Sequence, residues 1–148
     1  MSEPVTDREL FDAVANVNRK LRVLFDTRVK ETGLTLSRAR VLFTLLRRDG
    51  LNQRELAEDL GIETPTIVRL LDGMEKQDFV ERRLEPSDRR TKRIHLTVHG
   101  RRSAEEIEEL ARQIRVEVLE GVDPDEKKVA LKVINIIVEN ILQRIGKE

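Results

Sequence analysis

Apolar side chains recur three and four residues apart twice in quick succession near the middle of the chain, first at Leu56, Ala57 and Leu60, then at Ile67, Leu70, Leu71 and Met74. That spacing buries one face of a helix, so it predicts two short helices broken near Gly61. The residues around the break agree. Asn52-Gln53-Arg54-Glu55 is a capping box, in which the Asn52 side chain accepts from the third helical N–H while Glu55 reaches back. Gly61 suits the left-handed conformation of a helix end. Thr64 then offers a hydroxyl cap for the second helix, with Pro65 at the first helical position, where its missing N–H costs nothing. Pro65, Thr66, Val68, Arg69 and Asp72 are left on the side away from the stripe.

After Met74 the pattern shortens. Phe79–Leu84 and Arg93–Thr97 read as strands flanking the turn-rich Glu85-Pro86-Ser87-Asp88, which predicts a hairpin with a charged tip. Upstream, Thr6-Asp7-Arg8-Glu9 is a second capping box, and Leu10, Val14, Val17, Leu21 and Leu24 follow on one helical face to about Thr32, where Gly33 closes the helix. Ser37 is the expected cap of a further helix carrying Val41, Leu42, Leu45 and Leu46 and ending at Gly50. Downstream, Thr97 caps a long helix with a stripe of Ile107, Leu110, Ala111, Ile114, Val118 and Leu119. Asp123-Pro124-Asp125-Glu126 opens the last helix. Its apolar positions, among them Ile134, Ile137 and Ile141, wrap more than one face. The excess points to a subunit interface, since a wide apolar surface left in water promotes aggregation; a fully buried core helix is the alternative.

Charge sharpens this picture. Lys plus Arg and Asp plus Glu both number 28, so a basic surface must come from segregation. Arg82 to Arg93 holds six basic residues against Glu85 and Asp88, a local net charge of +4, whereas Ser103 to Glu148 nets −4. A helix with hydroxyls and an arginine near its N-terminus, directly after a tightly turned first helix, fits a recognition helix in a major groove. A basic hairpin beside it fits phosphates or a narrow minor groove. On the helices alone, structural packing stays an alternative; the basic hairpin weighs against it. With no Trp or Tyr and only four Phe, no platform exists for stacking single-stranded bases, so the expected target is double-stranded DNA.

Asp88-Arg89-Arg90, five residues, Leu96-Thr97, two residues and Gly100 match the wing signature D-x-R-x5-L-T-x2-G, and through these residues the chain resembles the MarR family of bacterial transcription regulators. The runs Asn-Gln-Arg-Glu-Leu-Ala, Leu-Gly-Ile, Thr-Pro-Thr-Ile-Val-Arg-Leu-Leu-Asp and Met-Glu-Lys-Gln-Asp-Phe-Val-Glu-Arg are similar to the family as well. The resemblance is densest over 34–100. It implies a mainly α fold with a small β-wing (α+β): a winged helix-turn-helix DNA-binding lobe over 34–100, and dimerisation helices over 5–32 and 101–148 within one domain. The implied function is a ligand-responsive repressor that binds a pseudo-palindromic operator as a homodimer. A winged-helix protein-interaction module or antirepressor without its own operator is the alternative.

The remaining composition narrows the classes. There is no Cys, hence no disulfide framework, thiolate nucleophile or thiol redox switch, and the chain fits a reducing cytoplasm. The richest apolar run, Val133 to Val138, is interrupted by Asn135 and too short to span a membrane. His95 and His99 are the only imidazoles, and no Gly-rich phosphate loop accompanies them, so neither an enzyme nor a cofactor is expected. A strand-to-helix break between the two histidines favours local packing over a metal site.

The DNA-binding candidates divide by role. Thr64, Pro65, Thr66 and Arg69 are expected to face the major groove, with capping as a second role for Thr64. Ser37 and Arg38 lie at a helix N-terminus that suits a phosphate, with capping alone as the alternative. Arg90 matches the family's minor-groove arginine, with a solvated loop tip as the alternative; Asp88 matches the residue that orients it, and Arg89 and Lys92 are expected phosphate contacts. Leu10, Val14, Ile134, Ile137 and Ile141 are the expected dimer interface. Arg19, Arg22 and Arg28 are candidate anchors for an aromatic carboxylate effector of the kind the family binds, against a reading as solvated residues of an amphipathic helix.

Overall fold

The computed structural model describes residues 2–146, apart from the Arg89 side chain. The elements run α1 (Asp7–Lys30), α2 (Leu36–Arg47), β1 (Leu51–Asn52), α3 (Gln53–Leu60), α4 (Thr64–Lys76), β2 (Val80–Glu85), β3 (Asp88–Leu96), α5 (Val98–Val118) and α6 (Pro124–Ile145). The chain forms two compact units, Met1–Ile114 and Arg115–Glu148.

The first unit is built around α2, α3, α4 and the sheet. Val41, Leu42, Leu45, Leu56, Ile67, Leu71, Met74, Val80 and Ile94 form one buried cluster, whose helical members belong to the stripes predicted from periodicity and whose last two come from the strands. Val68, expected on the outer side of α4, is instead half-buried against that cluster. The sheet is three-stranded with order β1-β3-β2, both pairings antiparallel. Its outermost member, β1, was not expected, because two residues carry no alternation to read; it exists through its pairing of Leu51 with Ile94 and Asn52 with Arg93. Of α1, only Val29 is buried, in a second small cluster with Ala39 and Ile107.

Helix starts follow local chemistry closely. The Asn52/Glu55 capping box, the left-handed Gly61, the Thr6/Glu9 box and the Thr97 cap on the Gly100 N–H, at 2.9 Å, form as expected. Two starts differ. The N-cap of α2 is Thr35, whose hydroxyl accepts from the Arg38 N–H at 3.3 Å, which places Ser37 inside the first turn. The N-cap of α4 is Glu63, without a side-chain bond, so Thr64 is the first helical residue and Pro65 the second. Proline fits there as well, since a helix's first N–H groups have no intrahelical partner.

In the second unit, α6 has no buried residue. Ile134 is 49% and Ile141 48% exposed, while Ile137 is half-buried. No helix among the described residues is long and apolar enough to cross a membrane.

Candidate nucleic-acid interface

The N-terminal end of α4 stands out from a well-fastened base. Gly61 turns the chain at φ 65, its own N–H returns to Glu58 O at 3.2 Å and that of Ile62 to Ala57 O at 3.0 Å. Arg40 reaches across from α2 and donates to Leu60 O at 3.1 Å, so the end of α3 is closed by a side chain. On this base Thr64, Pro65, Thr66 and Arg69 are all exposed. Because Glu63 caps the helix, the Thr64 hydroxyl is not consumed by capping. Among the described residues Arg69 has no carboxylate partner.

Ser37 and Arg38 are placed differently from one another. Ser37 is exposed, but the Arg38 guanidinium donates to Gln77 Oε1 at 2.6 Å, passing over Gly73 of α4. Arg38 thus ties α2 to the far end of α4.

The hairpin is a two-residue turn, Pro86-Ser87, between a first strand of the expected length shifted by one residue and a second strand that starts five residues earlier than the pattern suggested. Its register gives the tip a distinct shape. Glu85 faces Asp88 and Leu84 faces Lys92, so Arg89, Arg90 and Thr91 have no opposite number on β2 and form a bulge. Asp88 fastens that bulge: one carboxylate oxygen accepts from the Arg90 backbone N–H at 2.9 Å, the other from the Thr91 hydroxyl at 2.9 Å. These two bonds hold the Asp88 carboxyl below its ordinary range, the backbone donor contributing most. Asp88 therefore acts on Arg90 through the main chain, and the Arg90 side chain stays exposed.

The six basic residues counted across this stretch are not equivalent. Arg93 pairs with Glu85 and donates to Gly50 O at 2.9 Å; this pairing holds the Glu85 carboxyl below its usual range. Arg83 pairs with Glu81. Arg82 lies against α4, 2.8 Å from Asp72 and 3.7 Å from Glu75. Three of the six are therefore held by carboxylates. Arg90 and Lys92 are exposed with no such partner among the described residues, and the Arg89 side chain lies outside them. The local charge count does not show this division, because the partners of Arg82 lie on α4 and that of Arg93 across the hairpin; only Glu81, beside Arg83, is close in sequence.

The second half of the wing signature is a fastening. Thr97 donates its backbone N–H to Phe79 O at 3.2 Å, its hydroxyl reaches Asp78 O, and Gly100 lies directly against the Phe79 carbonyl. Asp78 adopts φ 62 at the end of α4, where the Phe79 N–H returns to Met74 O at 2.9 Å and its own to Glu75 O at 3.0 Å. The two histidines separate as expected. His95 Nδ1 faces Asp49 at 3.4 Å, and His99 stacks on Phe79 at 4.9 Å between ring centroids.

Away from the hairpin, Leu10 is 41% and Val14 47% exposed on α1. Arg19 donates to Asn16 Oδ1 at 3.1 Å, Arg22 is exposed and Arg28 half-buried.

A helix-turn-helix backed by a small antiparallel sheet whose last hairpin projects beside the second helix defines a winged helix. The MarR family model matches residues 34–92. The crystal structure of transcriptional regulator PA3341 is similar at 38% identity with a TM-score of 0.80, covering 90% of this chain and 98% of that one. The chain belongs to the MarR family of transcriptional regulators. The same fold occurs in a mutant of MarR from E. coli (21% identity, TM-score 0.77, covering 93% of this chain and 99% of that one). It occurs also in S. aureus MepR in a MepR–DNA complex (20% identity, TM-score 0.72, 93% and 99% covered).

Proposed function

We propose that this protein is a homodimeric repressor that binds a pseudo-palindromic operator in double-stranded DNA. The observation that carries the reading is the division of its basic residues. Those on the flanks of the hairpin are neutralised by carboxylates, while Arg69 on α4 and Arg90 and Lys92 on the wing are exposed without one among the described residues. Solvent alone would not require that sorting; a polyanion does. Thr64, Pro65, Thr66 and Arg69 read the major groove, Arg90 enters the minor groove, and Arg89, Lys92 and Ser37 take phosphates. Arg38, bound to Gln77, serves the site mainly by fixing α2 against α4.

Dimerisation supplies the second half-site. Leu10 and Val14 on α1 and Ile134 and Ile141 on α6 are exposed apolar residues in the single chain, Ile137 being half-buried, and a second copy covers this surface. An aromatic carboxylate effector, held by Arg19, Arg22 or Arg28, releases the operator in this reading, and the protein works in the cytoplasm.

Sequencing genomic fragments retained by the protein identifies the operator, and fluorescence anisotropy across salt tests the reading. Affinity is expected to fall steeply with salt; no binding to any duplex at low salt overturns it and favours a protein-interaction module. Two variants separate the roles. Arg69→Ala is expected to cost about 1 to 3 kcal/mol on the operator and to narrow the gap to unrelated DNA; equal weakening on every duplex would move Arg69 to the phosphates. Arg90→Ala is expected to lose most on operators with A·T-rich flanks, where the groove is narrow and its potential strongest. No loss on such flanks would make the wing tip a solvated loop.

A further inference from the structure

The Arg82 side chain is only 14% exposed, an unusual position for a basic residue in a hairpin proposed to face DNA. Its guanidinium touches three points along α4: Nη1 lies 2.8 Å from Asp72 Oδ1 and 3.7 Å from Glu75 Oε1, and Nη2 donates to Val68 O at 3.1 Å. Its backbone N–H donates to Glu75 Oε2 at 3.2 Å. One residue of β2 is thus fastened by side chain and main chain to the helix that carries Arg69. Val68 directly precedes Arg69 in that helix.

The energetics argue for geometry rather than stability. Among the described residues Arg82 Nε is buried without a hydrogen-bond partner, and a cation withdrawn from water gains little net stability from its pairing. Asp72 and Glu75 remain 52% and 44% exposed, so loss of Arg82 leaves neither carboxylate stranded in an apolar core. What an apolar replacement cannot reproduce is the direction. The planar fork spans a carboxylate and a main-chain carbonyl at once, which fixes the angle between strand and helix.

We infer that Arg82 is a positioning residue: it sets the wing against the recognition helix, so that Arg90 and Arg69 reach their grooves together. This rests on the DNA-binding reading above, but the anchoring itself is measurable without DNA. In the free, full-length protein, Arg82→Met is expected to speed amide hydrogen exchange across the β2–β3 hairpin, leaving α4 and the melting temperature nearly unchanged. Asp72→Asn, which weakens the same clamp from the other side, is expected to reproduce the pattern in part. Uniformly faster exchange, or exchange unchanged in the hairpin of both variants, overturns the anchor.

The DNA arm is a double-mutant cycle on an A·T-flanked operator. Arg82→Met is expected to weaken binding about tenfold in the native background but less than about threefold when Arg90 is already Ala, because the wing then has little left to position. Arg82→Lys is expected to recover only part of the loss, since a point charge cannot bridge Asp72 and Val68 O together. Equal losses in both backgrounds overturn the positioning role and leave Arg82 a general stabiliser. Should the native protein bind no duplex, the function proposed above fails, and hydrogen exchange decides the anchor alone.

Discussion

Gly100→Ala is expected to lower the melting temperature by on the order of 10 °C, although helix propensity alone predicts the opposite sign. Gly100 is the third residue of α5, a helical position where alanine is worth up to about 1 kcal/mol more than glycine. An added Cβ would lie 1.8 Å from the Phe79 carbonyl oxygen and 2.8 Å from its carbon, and both are backbone atoms that no rotamer change can move. Relief requires shifting the start of α5 away from the α4–β2 turn. That shift strains the Thr97 bonds to Phe79 O, 3.2 Å from its N–H and 3.3 Å from its hydroxyl. Overpacking of this kind costs about 3 kcal/mol or more, which outweighs the propensity gain and accounts for the size of the shift in a chain of this length. Gly73→Ala is the internal contrast. It lies mid-helix in α4, and its new methyl would meet only the Arg38 guanidinium end at 3.5 Å, an ordinary contact with a flexible group. There propensity should win, with a gain of about 0.5 to 1 kcal/mol. Thermal unfolding of both variants checks the pair; a Gly100→Ala protein as stable as the native one would refute the close packing of α5 on Phe79.

That glycine also shows what a sequence can and cannot display. The residues of the wing signature are visible as letters, but why Gly100 must lack a side chain depends on a carbonyl twenty-one positions earlier in the chain. Features settled within a few residues were readable: the capping boxes at Thr6 and Asn52, the left-handed Gly61 and the Thr97 cap all rest on partners three or four positions away. Two helix starts fall earlier than their hydroxyls suggest. Thr35 and not Ser37 caps α2, and α4 begins from Glu63, which makes no side-chain cap bond, so that Thr64 is already helical. Long-range partners left no local trace. β1 exists only through β3, and the roles of Arg82 and Arg93 depend on carboxylates on α4 or across the hairpin. The net charge of +4 therefore overstated how many of the hairpin's basic residues stand without a carboxylate partner. Asp88 was expected to orient the Arg90 side chain; it bonds instead to the Arg90 backbone N–H in the bulge, a contact that no spacing rule specifies.

Charging α6 is expected to abolish the dimer and operator binding together. Ile134→Glu is the sharper variant, because Ile134 is 49% exposed in the single chain whereas Ile137 is half-buried, so a carboxylate at 134 stays hydrated in the protomer and leaves its folding nearly intact. In the proposed interface it meets apolar surface instead. A twofold dimer carries the substitution on both subunits, and each unpaired carboxylate buried there costs several kcal/mol. The dimer dissociation constant should therefore rise on the order of a thousandfold. Operator affinity follows, because each half-site holds only the contacts of one α4 and one wing, and two wings roughly 34 Å apart gain from being linked. The slope of affinity against salt should fall to about half, since one protomer neutralises half the phosphates. Ile141→Glu, also about half exposed at 48%, is expected to behave in the same way. Sedimentation equilibrium gives the assembly state, circular dichroism the fold and anisotropy the binding on one preparation. A folded Ile134→Glu protein that still sediments as a dimer would place the subunit interface elsewhere. A monomer that holds the full operator with an undiminished salt slope would break the link between assembly and recognition.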